Sequence, residues 1–139
     1  MFFTNINLLT VFIASAVAMG VGFIWYSPFV FGKAWMRASG VVPGPEADAQ
    51  RKGMAKTFFF SFLLMSATSY ILAVTINSMF IRDMYAAIIV GLALSIGFIV
   101  SAKVNDRLFT KTPWPIVLIS SGYYVLSIVV MTIVLALFS

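Results

Sequence analysis

Four stretches of this chain, residues 6–26, 58–80, 85–102 and 116–138, contain no charged side chain. A helix crosses the hydrocarbon core of a bilayer with about 20 apolar residues, at about 1.5 Å each. All four stretches come close to that length, so the solvent of this chain is lipid. Composition agrees: 62% of residues are hydrophobic and 9% charged, where a soluble domain is about a quarter charged. The sequence therefore reads as an all-α integral membrane protein. It has four transmembrane helices and a short amphipathic interfacial helix after the first, forming one domain over residues 1–139.

The basic residues fix how such a bundle lies. Lys33, Arg37, Arg51, Lys52 and Lys56 fall between the first and second stretches, and Lys103, Arg107 and Lys111 between the third and fourth. Only Arg82 falls between the second and third. Cytoplasmic loops retain Lys and Arg, which puts loops 27–57 and 103–115 inside and both termini outside. The net charge of +5 is thereby spent on orientation and on lipid headgroups, and nucleic acid is not an expected partner.

The first stretch contains Ala16-Val17-Ala18, which looks like a signal cleavage site. The start Met1-Phe2-Phe3-Thr4-Asn5 lacks positive charge and the apolar run continues to Trp25, so the reading is a retained helix. Thr4 or Asn5 is expected to cap it. Trp25, Tyr26, Trp35 and Trp114 are expected as interfacial anchors on the cytoplasmic side, because Trp and Tyr favour the headgroup boundary. Ser27-Pro28 reads as the cap and first turn of the interfacial helix, which runs to Ser39 with Lys33 and Arg37 on one side. Val41-Val42-Pro43-Gly44-Pro45 reads as a turn, and Asp48 and Lys52 are spaced to pair on a helix. Asp83 is placed to cap the third helix, with Lys103 near its carboxyl end. Thr112-Pro113 repeats the cap-and-proline device before the fourth.

Several of these residues occur together in a known family. Trp25-Tyr26-Ser27-Pro28, then Phe31-Gly32-Lys33-Ala34-Trp35-Met36-Arg37 and Lys52-Gly53-Met54-Ala55-Lys56, resemble the small bacterial membrane family catalogued as domain of unknown function 1761. Asn105, Leu108, Phe109 and the Gly122-Tyr123 pair extend the resemblance over essentially the entire chain. It implies a four-helix protein of the bacterial inner membrane and no assigned activity. In that family a histidine often follows the Gly-Tyr pair, where this chain has Tyr124.

Small residues recur every four positions in the first helix as Ala14, Ala18 and Gly22. They do so in the third as Ala87, Gly91 and Ser95, and on a second face as Ala93, Gly97 and Ser101. Such faces let another backbone come close, within the bundle or between copies. Hydroxyls at Ser61, Thr68 and Thr75, and at Ser120, Tyr124 and Ser127, form two stripes. These either line a path for a polar solute or bond to their own and neighbouring helices. Lys103, Arg107 and Lys111 form a candidate lipid-headgroup site, the alternative being a solvated helix end with an Asp106–Arg107 pair.

Catalysis has little to work with. There is no cysteine and no histidine, and Glu46, Asp48, Asp83 and Asp106 all lie in connections or at helix ends. No catalytic, cofactor or metal residue is expected, and ion-coupled transport lacks the ionisable group it keeps within a span. The leading expectation is a protein acting by association, as a homo-oligomer or as an accessory subunit of a membrane complex. The alternative is a passive channel or carrier for a small polar or amphipathic solute. A lipid-processing enzyme built on Asn105 and Asp106 stands third.

The orientation is open to a direct check, since the chain has no native cysteine. In intact cells Ser39→Cys is expected to resist a membrane-impermeant thiol reagent and Ser78→Cys to react, and the reverse labelling would invert the topology.

Overall fold

Helix starts and stops in this chain are set by side chains and turns that satisfy exposed backbone groups. The computed structural model describes residues 6–27, 29–39 and 54–138. Asn7 opens α1 (Leu8–Trp25), its Oδ1 accepting from the Leu9 and Thr10 N–H groups. The cap thus lies later than the expected Thr4 or Asn5, which are outside the described residues. Ser27 closes α1 instead of opening the next helix: its hydroxyl donates to the Ile24 carbonyl at 2.6 Å. The interfacial helix α2 follows a hydrogen-bonded turn and runs Gly32–Ser39. Pro28, the 41–45 turn and the Asp48–Lys52 pair lie outside the described residues.

Helix α3 (Met54–Ser78) ends in a turn with Phe80 at φ 55°. There the Ile81 N–H bonds the Ile76 carbonyl and the Phe80 N–H the Asn77 carbonyl. This is a Schellman stop, in which a residue past the helix end takes the left-handed conformation and two orphan carbonyls are paired. Asp83 then caps α4 (Met84–Thr110) as expected, accepting from the Ala86 N–H at 3.0 Å. α4 continues eight residues past the expected end at Ala102, through Lys103 and Arg107, to a left-handed stop at Lys111. Polarity marks where the hydrocarbon ends, but the backbone keeps its helical bonds beyond that point. Within α4 the stretch Ser95–Val100 is π-helical. Helix α5 (Trp114–Phe138) begins after Pro113, whose carbonyl accepts from Ile116 and Val117. Pro113 therefore stands just before the helix, not at its first position.

α1, α3, α4 and α5 are long and apolar enough to cross a membrane. With no strand among the described residues, the chain is an all-helical membrane protein with four helices long and apolar enough to span. The spans do not form a symmetrical square. α1, α3 and α4 each pack on α5, and α1 also packs on α3, but α4 packs along neither α1 nor α3. Burial follows: 44% of the most apolar window of α5 is inside the bundle, against 17% for α4.

The contacts that hold the hub are short and polar at their centres. Lipid gives helices no hydrophobic reason to associate, so close packing and side-chain hydrogen bonds carry the joint. The Thr132 hydroxyl on α5 lies 3.0 Å from the Ala87 carbonyl of α4 and 2.7 Å from its own Val129 carbonyl. Ser69 on α3 donates to the Val11 carbonyl of α1 at 3.0 Å. Val11, Ala14, Ala18, Leu72, Met131 and Leu135 fill the space around these bonds. At the opposite end of the bundle, beside Arg82, Ile76, Ile81, Ala87 and Ala136 make a second apolar cluster.

Gly91 is where α4 and α5 come closest. A Cβ there would lie 2.7 Å from Thr132 Oγ1 and 2.9 Å from Val129 Cα, whereas one at Gly20 would meet nothing within 4 Å. Gly91→Leu is therefore expected to cost about 3 kcal/mol by overpacking, and Gly20→Leu little. Unfolding by detergent titration measures both, and equal midpoints would contradict this packing.

Candidate functional site

The residues singled out by motif converge at the basic end of the bundle. Trp25, the last residue of α1, turns its ring against α5, and its Nε1–H donates to the Ile119 carbonyl at 2.9 Å. Gly122 makes room for that ring, since a Cβ there would sit 2.8 Å from Trp25 Cζ2. Three residues before Trp25, Gly22 makes room for the Tyr123 ring, whose Cε1 would be 3.0 Å from an added Cβ. The Tyr123 hydroxyl donates to the Ala18 carbonyl at 3.3 Å. The small-residue face Ala14, Ala18, Gly22 is thus the seat of α5 on α1.

The turn after α1 is equally tight. The Phe31 N–H donates to the Trp25 carbonyl and the Gly32 N–H to the Ser27 carbonyl. A Cβ at Gly32 would press on the Tyr26 carbonyl and lie 2.7 Å from the Ser27 oxygen. Glycine is required by that close approach. The turn folds Phe31 onto Trp25, with ring centres 4.5 Å apart, and brings Trp35 to 6.2 Å from Tyr26.

From Trp35 a chain of rings crosses the bundle. Tyr26 lies 5.6 Å from Tyr123, and Tyr123 lies 5.2 Å from Tyr124. The Lys103 ammonium of α4 completes it, 4.9 Å from the centre of the Tyr124 ring. One turn further along α4, the Arg107 guanidinium stands 4.8 Å from the Trp114 ring. Contacts of a cation with an aromatic face contribute about 0.5–2 kcal/mol, more as water is excluded. Together they latch the basic end of α4 to α5. Among the described residues Asp106 makes no ion pair, so the expected Asp106–Arg107 pair is replaced by these ring contacts.

The π stretch accounts for how both cations reach α5. Ala87, Gly91, Ser95, Ile99, Lys103 and Arg107 are spaced by four and are the inward positions of α4. On a 3.6-residue helix a four-residue spacing drifts by about 40° per step, enough over this length to carry Arg107 to the opposite side. The i→i+5 bonds of residues 95–100 wind less tightly and take back part of that drift.

The other expected site residues are distributed as follows. Of the two small faces on α4, Ala87, Gly91 and Ser95 are buried against α5. Gly97, with its neighbours Ala93 and Ser101, is exposed and has nothing within 4 Å of an added Cβ. The six hydroxyls do not share one cavity. Thr68 and Thr75 line a groove between α3 and α4, but their hydroxyls donate to the Leu64 and Ile71 carbonyls of their own helix. Ser61 reaches Met19 Sδ, Ser120 bonds the Val117 carbonyl, and Ser127 is fully buried in the α5 core. Trp25 faces into the bundle, while Trp114 is exposed. Lys111 is exposed just past the end of α4. Sequence reasoning missed Ser69, which lies among Ser66, Thr68 and Tyr70, and Thr132, a single hydroxyl set in an apolar run. In lipid such isolation is itself the signal of an interhelical bond.

Fold and site together define a four-span membrane protein whose basic end is closed by an aromatic and cationic collar. The family model described as "Protein of unknown function (DUF1761)" matches residues 9–136. The chain belongs to that family. No curated protein and no solved structure matches it.

The collar bond from Tyr123 to a main-chain carbonyl can be deleted without removing the ring. Tyr123→Phe is expected to lower stability by about 0.6–1.7 kcal/mol. Detergent-titration unfolding measures the loss, and no change would show that ring packing alone holds the collar at that position.

Proposed function

We propose that this protein acts by association in the plasma membrane, as a homo-oligomer or as a small subunit of a larger membrane complex. The observation that carries the reading is the exposure of the second small face of α4. Among the described residues this span packs mainly on α5 and leaves Ala93, Gly97 and Ser101 open along another side. Small residues at four-residue spacing let a second backbone approach closely, and van der Waals packing then drives association. The positive-inside rule places the collar at the cytoplasmic face and both termini outside. The reading includes no catalytic step: the chain has no histidine and no cysteine with which to activate a nucleophile.

The carrier reading stands second. The lateral groove between α3 and α4 supports it, and the groove's apolar lining favours an amphipathic solute over a small polar one.

Native mass spectrometry of the protein extracted gently from its own membranes tests the leading reading. The expected spectrum contains a second copy or a stoichiometric foreign membrane protein, and Gly97→Leu returns the chain to a monomer with its unfolding midpoint unchanged. A monomeric wild-type protein under those conditions would overturn it.

A further inference from the structure

The groove between α3 and α4 has a volume of about 550 Å³ and opens sideways. Ile71 and Leu72 wall it on α3, Leu94, Phe98 and Ile99 on α4, and Ile128 of α5 forms its floor. These residues lie in the middle portions of three spans, so what enters comes from the hydrocarbon. The Thr68 and Thr75 hydroxyls on its wall are already bonded to main-chain carbonyls and offer no proton to a polar guest. The groove therefore selects a hydrocarbon.

Its basic end is marked by charge. Lys103 stands four residues beyond Ile99 on α4, and Tyr124 four residues before Ile128 on α5. These two side chains meet, ammonium over ring. A four-residue step on a helix is about one turn, or about 6 Å, so a cation sits one turn past the apolar lining on the side of the basic collar. Lys103 has no carboxylate partner among the described residues, and the tyrosine face leaves ammonium N–H groups free to donate. A molecule with a negative head and a long apolar tail complements both parts.

We propose that this groove holds one acyl chain of an anionic phospholipid whose phosphate is met by Lys103. The groove is walled by Leu94, Phe98 and Ile99 of α4, a different set of residues from its open small-residue face at Ala93, Gly97 and Ser101.

The test uses the full chain in lipid discs of phosphatidylcholine containing a minor fraction of phosphatidylglycerol with a diazirine in its acyl chain. After photolysis, adducts are mapped by mass spectrometry. The expected result is an excess of adducts at Ile71 and Phe98 over Leu118, an equally lipid-exposed position on α5. Phosphatidylcholine carrying the same photophore is expected to give no such excess. Lys103→Gln is expected to lower groove labelling about fivefold, the scale of one basic residue at an anionic surface, and Lys103→Arg to retain it. Ala67→Phe, which fills the groove from its exposed rim, is expected to abolish labelling at Phe98 and leave Leu118 unchanged. Even labelling of all exposed faces, or groove labelling that is equal for the two headgroups, would overturn the proposal. The headgroup comparison uses wild-type protein and decides the matter even where a variant fails to fold.

Discussion

Helices surrounded by lipid tails gain nothing by hiding apolar surface from one another, and the architecture of this protein follows from that. What remains is close backbone approach and hydrogen bonds that no lipid can offer. Among them, Trp25 to Ile119, Tyr123 to Ala18, Thr132 to Ala87 and Thr10 to Phe138 join α5 to its neighbours. Ser69 to Val11 joins α3 to α1. In each of these the acceptor is a main-chain carbonyl, which a neighbour reaches most easily where a small residue lets it in. That explains why glycine or alanine stands within a turn of three of the bonds, at Gly122, Gly22 and Gly91. With most of these polar contacts on one helix, α5 becomes the hub, and among the described residues α4 packs mainly on it.

The collar solves a different problem at the end of the bundle. Where hydrocarbon gives way to headgroups, side chains need one apolar and one polar part, and aromatic residues supply both. Here they are not dispersed as independent anchors. The turn after α1 binds Phe31 and Trp35 back to Trp25 and Tyr26, and the ring chain passes through Tyr123 and Tyr124 to Lys103. The conformational demands on Gly32 and Gly122 belong to the same device. The motif is therefore one folded unit assembled from α1, α2 and α5, with α4 attached through its cations.

Much of this was legible in the sequence, for identifiable reasons. Uncharged length gave the spans, and Asp83 could be recognised as a cap because its only role in that position is to satisfy free N–H groups. The small faces were visible as spacings, but spacing alone could not tell which face met α5. The choice between Gly91 and Gly97 depends on the phase of α4 against its neighbour. The π stretch was not legible, because it contains no proline or other local signal and arises from the fit of both ends of α4 to α5. Nor was the separation of α3 from α4: a tight connection brings two helices antiparallel, yet it does not make them touch along their length. The hydroxyl stripes were correctly located in sequence, but Thr68, Thr75 and Ser120 have carbonyls of their own helix within reach and bond there first.

The π stretch divides α4 into two rods with separate phases. The outer rod is gripped by Thr132 at Ala87, and the rod toward the collar by the Tyr124 and Trp114 rings. Rewinding this stretch into α geometry would turn one rod against the other, each residue adding the small difference between the two windings. Both rods are fixed to α5, so a change of winding in mid-span would have to give up either the Thr132 bond or the two ring contacts.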